Sequence, residues 1–238
     1  MRPAPVWPPP QVEVHGSVAA MDPDLDLLAA WRDGDKTAAG TILKKYYYLV
    51  RRAVLTKVPE DAVDDIVQEV FAALAQRRDT FRADASLKTF ILAIARYSVA
   101  NYFRERQRKP VDPLDVLQSS VRDHGAGPSS LLLKHENERL LLEALRGVPL
   151  DDQMLLELYY WDDMPGSELA QVFECPEPTI RGRLRRAKER LTAALHELTR
   201  DRRDFADTVT DLDAWAKQLR DGLKPYLLQL QRDKVKKD

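Results

Sequence analysis

Cysteine is almost missing from this 238-residue chain. Cys175 stands alone, which excludes an internal disulfide and a cysteine-rich zinc module and fits a reducing compartment. Glycine is scarce too: nine residues, about half the usual share of roughly 7%. That scarcity argues against glycine-punctuated β architectures and phosphate-cradling loops. No apolar run approaches the ~18 residues of a membrane-spanning helix, so no membrane insertion is expected. No charge sign dominates, because 37 Lys+Arg against 38 Asp+Glu leave a net charge of −1. His15, His124, His135 and His196 are scattered, with no Ser/His/Asp spacing, HExxH or phosphate loop beside them. Cys175 reads as buried filler rather than a nucleophile. These absences point to an all-α, non-enzymatic protein of the cytoplasm that uses no metal and no cofactor.

What is present divides the chain. Residues 1–21 hold five prolines and no helical period, the composition of a disordered tail. Only Arg2 could serve as a charged leader residue and no apolar core follows, so no secretory signal is expected. From 22 to 109 the pattern is helical. Leu25, Leu28 and Trp31 mark a first helix stopped by Gly34. A second runs from about Asp35 to Val58 with Ala39, Ile42, Tyr46, Leu49, Ala53 and Val54 inward. Pro59 opens a third, with Val63, Ile66, Val67, Val70, Phe71 and Leu74 on one face. A fourth, to about Arg108, buries Leu87, Phe90, Ile91, Ile94 and Tyr97 or Ser98. Residues 110–130 carry Pro110, Pro113, Gly125, Gly127 and Pro128 and read as a flexible linker. Helices resume over 131–199: Leu131–Arg146, Leu150–Trp161, and two short ones about Glu174-Cys175-Pro176. The expected architecture is two small helical domains on a tether.

Residues 200–238 are expected to form a helical extension. Phe205, Val209, Leu212, Ala216, Leu219, Leu223, Tyr226 and Leu230 follow a heptad-like seam that Gly222 and Pro225 interrupt. The pattern fits a hairpin packed on the two domains, a docking site for another helix, or an exposed tail; packed across the domains, it is expected to modulate access to DNA or polymerase.

Three charged constellations carry the chemistry. Pro165 through Lys188 has the form of a helix-turn-helix: Ser167 as an N-cap, Glu174-Cys175-Pro176-Glu177 as the turn, and Pro178 at a first helical position. The second helix carries Arg181, Arg183, Arg185, Arg186, Lys188 and Arg190 against Glu177 and Glu189, the form that enters a major groove. A second basic run, Arg96, Arg104, Arg106, Arg108 and Lys109, is interleaved with Tyr97, Tyr102 and Phe103. Cations that track phosphates beside aromatics that stack on unpaired bases suit single-stranded or opening DNA, and Asn101, Arg104 and Arg108 share a face. The third is acidic: Glu60, Asp61, Asp64, Asp65, Gln68 and Glu69 lie opposite the apolar face of the third helix. No histidine or second acidic helix completes a metal shell there, which leaves a solvated face or a docking surface for a basic partner.

Taken together, residues 24–198 resemble a bacterial sigma factor of the extracytoplasmic-function group. Asp64-Asp65-Ile66-Val67-Gln68-Glu69-Val70-Phe71 resembles the region 2 signature, Leu87–Arg96 resembles the segment after it, and Glu168-Leu169-Ala170 through Arg186-Ala187 resembles the region 4 helix-turn-helix. The resemblance implies promoter-specific transcription initiation. Core RNA polymerase would be the partner, through its β′ clamp helices and β flap, with promoter DNA and an anti-sigma factor as further partners. Asp61, Asp64, Asp65, Gln68 and Glu69 would meet polymerase. Arg82, Asp84, Ser86, Lys88, Arg96, Tyr97, Asn101, Arg104 and Arg108 would capture and open the −10 element. Pro178, Thr179, Arg181, Gly182, Arg183, Arg185 and Arg186 would meet the −35 element, and the linker would run along the RNA exit path. The family usually has Asn where Tyr97 stands, Asp where Asn101 stands and Gly where Glu174 stands. Two other readings stand beside this one: a helix-turn-helix regulator acting on duplex DNA alone, and a sigma-like decoy that binds polymerase without initiating.

Overall fold

The computed structural model describes residues 24–81, 85–107, 111–122 and 136–200. The expectations for the proline-rich tail and for the extension beyond Arg200 lie outside these residues. The described residues form helices α1 (Asp24–Arg32), α2 (Lys36–Leu55), α3 (Glu60–Arg77), α4 (Leu87–Glu105), α5 (Pro113–Leu117), α6 (Glu136–Arg146), α7 (Leu150–Trp161), α8 (Gly166–Val172) and α9 (Glu177–Thr199), with no strand among them.

Local chemistry sets the boundaries. Gly34, at φ +99°, closes α1: its N–H donates to Trp31 and that of Asp35 to Ala30, a Schellman turn that glycine enters without strain. Asp35 then caps α2 by accepting from the N–H groups of Thr37 at 2.7 Å and Ala38 at 3.3 Å. Ser86 caps α4 by accepting from Thr89 N–H at 3.2 Å. Helix α8 starts two residues earlier than expected, behind Pro165 and without a side-chain cap, so Ser167 lies inside the helix instead of capping it. Helix α9 is not short but runs for 23 residues, since Ile180, Ala187, Leu191 and Leu195 continue a single buried stripe.

Helices α1 to α4 form the first half. The apolar face of α3, Val63, Ile66, Val67, Val70 and Leu74, packs on α2 and α4. In α2 the buried stripe is Ala38, Ile42, Tyr46, Val50, Ala53 and Val54, while Ala39 and Leu49 are half-buried at its edge. Helix α4 is buried almost all round, as befits a helix packed against α2 and α3 on one side and α5 and α8 on another. Its apolar residues therefore extend well beyond the single stripe that periodicity predicts.

The segment read as a flexible linker is partly structured. Residues 113–117 form α5, and Val116, Leu117 and Val121 are buried against α4 and α7. A composition rich in proline and glycine concealed three apolar residues with a core to join. Nor are the halves held apart: one apolar core runs from Leu28 in α1 to Leu195 in α9, and α8 packs directly on α4. No helix among the described residues is long and apolar enough to cross a membrane.

Candidate nucleic-acid interface

The turn between α8 and α9 places the basic helix. Glu174 occupies the left-handed position at φ +55°, its N–H donating to Gln171 and that of Cys175 to Ala170. This is a Schellman turn with a non-glycine residue, at a cost of about 1 kcal/mol. Pro178 sits in the first turn of α9, and Pro178, Thr179, Arg181, Arg185 and Arg186 are exposed. Arg181 and Arg185 make surface pairs along the helix, with Glu177 at 3.6 Å and with Glu189 at 2.9 Å. Such pairs contribute little and yield readily to a phosphate. Gly182 is half-buried, and a Cβ there would meet only Arg186 Nη1, at 3.8 Å.

Arg183 points the other way. Its Nη2 donates to Asp151 Oδ2 at 3.2 Å, and its guanidinium lies over the Phe173 ring. The same carboxylate is also taken by Arg96 of α4, with Nε to Oδ1 at 2.6 Å and Nη2 to Oδ2 at 2.8 Å. Arg96 and Asp151 are both buried. Burial works against the Arg96 charge, but the Asp151 hydrogen bonds and charge outweigh it and hold the guanidinium firmly protonated.

Polar pairs continue along this seam between the halves. Thr89 Oγ1 donates to Gln171 Oε1 at 3.1 Å, Tyr97 OH to Glu174 Oε2 at 3.0 Å, and Lys88 pairs with Glu168 at 3.5 Å. At the end of α2, Arg52 pairs with Asp162, and Lys57 Nζ meets Glu157 Oε2 at 2.5 Å. Burial pushes the Asp162 and Glu174 carboxyls up from their ordinary values, against the pull of Arg52 on one and of Tyr97 and Arg96 on the other. Burial likewise lowers Lys57, opposed by Glu157.

The residues expected to meet the −10 element are thus distributed unevenly. Arg82, Asp84 and Arg108 lie outside the described residues. Ser86 is a cap, Lys88 and Tyr97 are half-buried in the seam, Arg96 and Asn101 are buried, and Arg104 is half-buried. The acidic set differs: Asp61, Asp64, Asp65, Gln68 and Glu69 are all exposed on the outer face of α3. Of these, Asp64 lies 3.7 Å from Arg51. Among the described residues no group of His, Cys, Asp or Glu side chains is arranged to hold a metal ion.

Sequence reasoning missed the acceptors of the seam: Asp151, Glu157, Asp162, Glu168 and Gln171. One signal was available. Asp151, Asp152, Gln153 and Glu157 interrupt an otherwise apolar helix, and polar residues there imply buried partners.

An exposed arginine stripe behind a helix-turn-helix, joined to a second helical unit with a basic-aromatic helix and an acidic face, defines a two-part DNA-binding transcription protein. Comparison gives the family. The sigma-70 region 2 pattern matches residues 42–109 and the sigma-70 region 4 pattern residues 138–191, together about half of the chain. The ECF RNA polymerase sigma-E factor of Escherichia coli (strain K12) is 27% identical over 184 residues, covering 74% of this chain and 96% of that protein. The sigma-E factor of Haemophilus influenzae is 24% identical over 183 residues, with the same coverage of each chain. The solved structure of CnrH in complex with the cytosolic domain of CnrY shares the fold, with a TM-score of 0.53 at 21% identity over 73% of this chain and 97% of that one. The chain belongs to the sigma-70 family, in its extracytoplasmic-function group, and directs promoter-specific transcription initiation.

Proposed function

We propose that the three charged surfaces divide the work of initiation as the matched motifs imply. The acidic face of α3 docks core polymerase through Asp61, Asp64, Asp65, Gln68 and Glu69, on the β′ clamp helices, while the second half meets the β flap. The start of α4 and the loop before it, from Arg82 to Lys88, take the −10 element, with Arg96, Tyr97, Asn101, Arg104 and Arg108 along the helix. The exposed side of α9 reads the −35 element through Thr179, Arg181, Arg185 and Arg186, with Pro178 and Gly182 allowing close approach and Arg183 joining them once released. The role is that of a specificity subunit without catalysis of its own, acting in the cytoplasm. The fold neighbour CnrH is bound to the cytosolic domain of CnrY, and for this chain an anti-sigma factor is proposed as a protein partner.

One observation carries this reading: every acidic-face side chain named is exposed on α3 while the opposite face is packed. A docking surface built on a rigid helix has that form. Run-off transcription with core polymerase, the full chain and a library of promoter fragments tests it. Transcripts from a discrete subset are expected. Core binding without transcripts would indicate a decoy, and no core binding would leave a duplex-binding regulator.

A further inference from the structure

The corner where the chain leaves α3 is held from outside by a side chain of α1. We propose that Arg32 is a positioning residue for −10 recognition: it fixes the main chain at Arg78 and Phe81, and so sets where the approach to α4 meets DNA. The proposal rests on the reading above, which gives the start of α4 and the chain before it to the −10 element.

Arg32 holds two carbonyls at once. Its Nε and Nη2 donate to the Arg78 carbonyl at 2.7 and 2.5 Å, and Nη2 donates to the Phe81 carbonyl at 2.6 Å. Helix α3 ends at Arg77, and a helix end leaves carbonyls without N–H partners of its own. The Arg77 carbonyl is met locally, by the N–H groups of Thr80 at 3.0 Å and Phe81 at 3.1 Å and by Thr80 Oγ1 at 3.0 Å. Those of Arg78 and Phe81 are met from α1. A guanidinium suits this task because its planar fork presents several donors in fixed directions. Trp31 adds a second hold, with the Arg78 guanidinium over its ring at 5.5 Å from the centroid.

The corner is also held from α4. Phe81 is buried, and its ring packs on that of Phe90 with centroids 4.7 Å apart. Ser86 caps α4, and Thr89 Oγ1 donates back to the Ser86 carbonyl at 2.8 Å. Phe81 is thus pinned by its ring to the DNA-reading helix and by its carbonyl to α1. Readout of a base edge requires donors and acceptors placed to within about 0.5 Å. Arg32 can therefore govern base preference without touching a base. Its side chain is exposed, so its loss empties no core.

The test uses the full chain with core polymerase, and run-off from one active promoter and its single-base variants across the −10 element. Arg32→Met keeps the aliphatic stem and removes every donor. At the most discriminating position, wild type is expected to favour one base over its substitutes by at least about tenfold, and Arg32→Met by about twofold or less. Core binding in a pull-down and base preference in the −35 element should stay within about twofold of wild type. A role in folding alone would lower run-off from every promoter alike and leave the ratio between promoters untouched. An undiminished −10 preference in the variant, with core binding intact, would overturn the proposal. Should Arg32→Met not fold, Arg32→Gln replaces it with the same two outcomes, since one amide group does not span both carbonyls as the fork does. If wild type itself shows no preference across the −10 element, the promoter reading fails and the role of Arg32 falls with it.

Discussion

Lys57 and Glu157, one hundred residues apart in sequence, meet in a buried ion pair at 2.5 Å that ties the end of α2 to the middle of α7. Gln153 Nε2 donates to the other Glu157 oxygen at 2.9 Å and to the Thr56 carbonyl at 3.3 Å. Removing one member strands a buried charge, which costs about 3–5 kcal/mol, whereas replacing both by apolar residues of similar volume is near neutral. Lys57→Met alone should therefore lower Tm by roughly 6–20 °C for a chain of this size. Lys57→Met with Glu157→Leu should recover most of that loss in thermal melts. Equal Tm values for the single and double variants would contradict the pairing.

Glycine positions separate by backbone. Gly182 and Gly40 are helical, and an added Cβ meets nothing closer than 3.8 Å, so each Gly→Ala should stabilise by about 1 kcal/mol. Gly34 also has open space but sits at φ +99°, so Gly34→Ala should destabilise by about 1 kcal/mol or more. Chemical denaturation midpoints distinguish the two directions.

Glu174 gives the protein a pH dependence. Its carboxyl is raised from 4.5 in the folded chain by burial, so the folded state binds its proton more tightly than the unfolded state does. The associated stability is fully present below about pH 4.5 and is lost as pH rises through the raised value. Glu174→Gln fixes the uncharged form and keeps an acceptor for Tyr97. Its Tm should exceed that of wild type at pH 7, with the gap narrowing toward pH 4.5. A gap independent of pH would refute the assignment.

The exposed faces should separate binding from folding. Asp65→Ala or Gln68→Ala should weaken core polymerase binding in a pull-down and leave Tm unchanged, because neither side chain is packed. Arg185→Ala with Arg186→Ala should lower promoter affinity and reduce the log–log salt slope by about 2, one per phosphate contact. An unaltered slope would argue against groove docking.

Periodicity made the helical domains legible because their stripes are local: Val63, Ile66, Val67 and Val70 reveal the packed face of α3 and, by subtraction, its acidic one. The helix-turn-helix was legible for the same reason, and the structure puts Glu174 of its turn in the left-handed region at φ +55°, where the resembled family usually has glycine. The packing of one half on the other was not. Arg96 finds Asp151 fifty-five residues away and Thr89 finds Gln171 eighty-two away, and no spacing rule connects such partners. Arg96 therefore read as a phosphate-tracking cation when in this structure it is a buried one. The linker misled in the opposite sense, since its prolines and glycines outweighed Val116, Leu117 and Val121 in composition but not in packing.

The side-chain pairs along the seam also govern how its opening would register as heat. Newly wetted apolar surface raises heat capacity by about 0.45 cal/K/mol per Å², while newly wetted polar surface lowers it by about 0.26. A parting would wet both the apolar core that crosses the seam and the polar pairs Arg96–Asp151, Lys57–Glu157 and Thr89–Gln171, and the polar share offsets part of the heat-capacity increment of the apolar share.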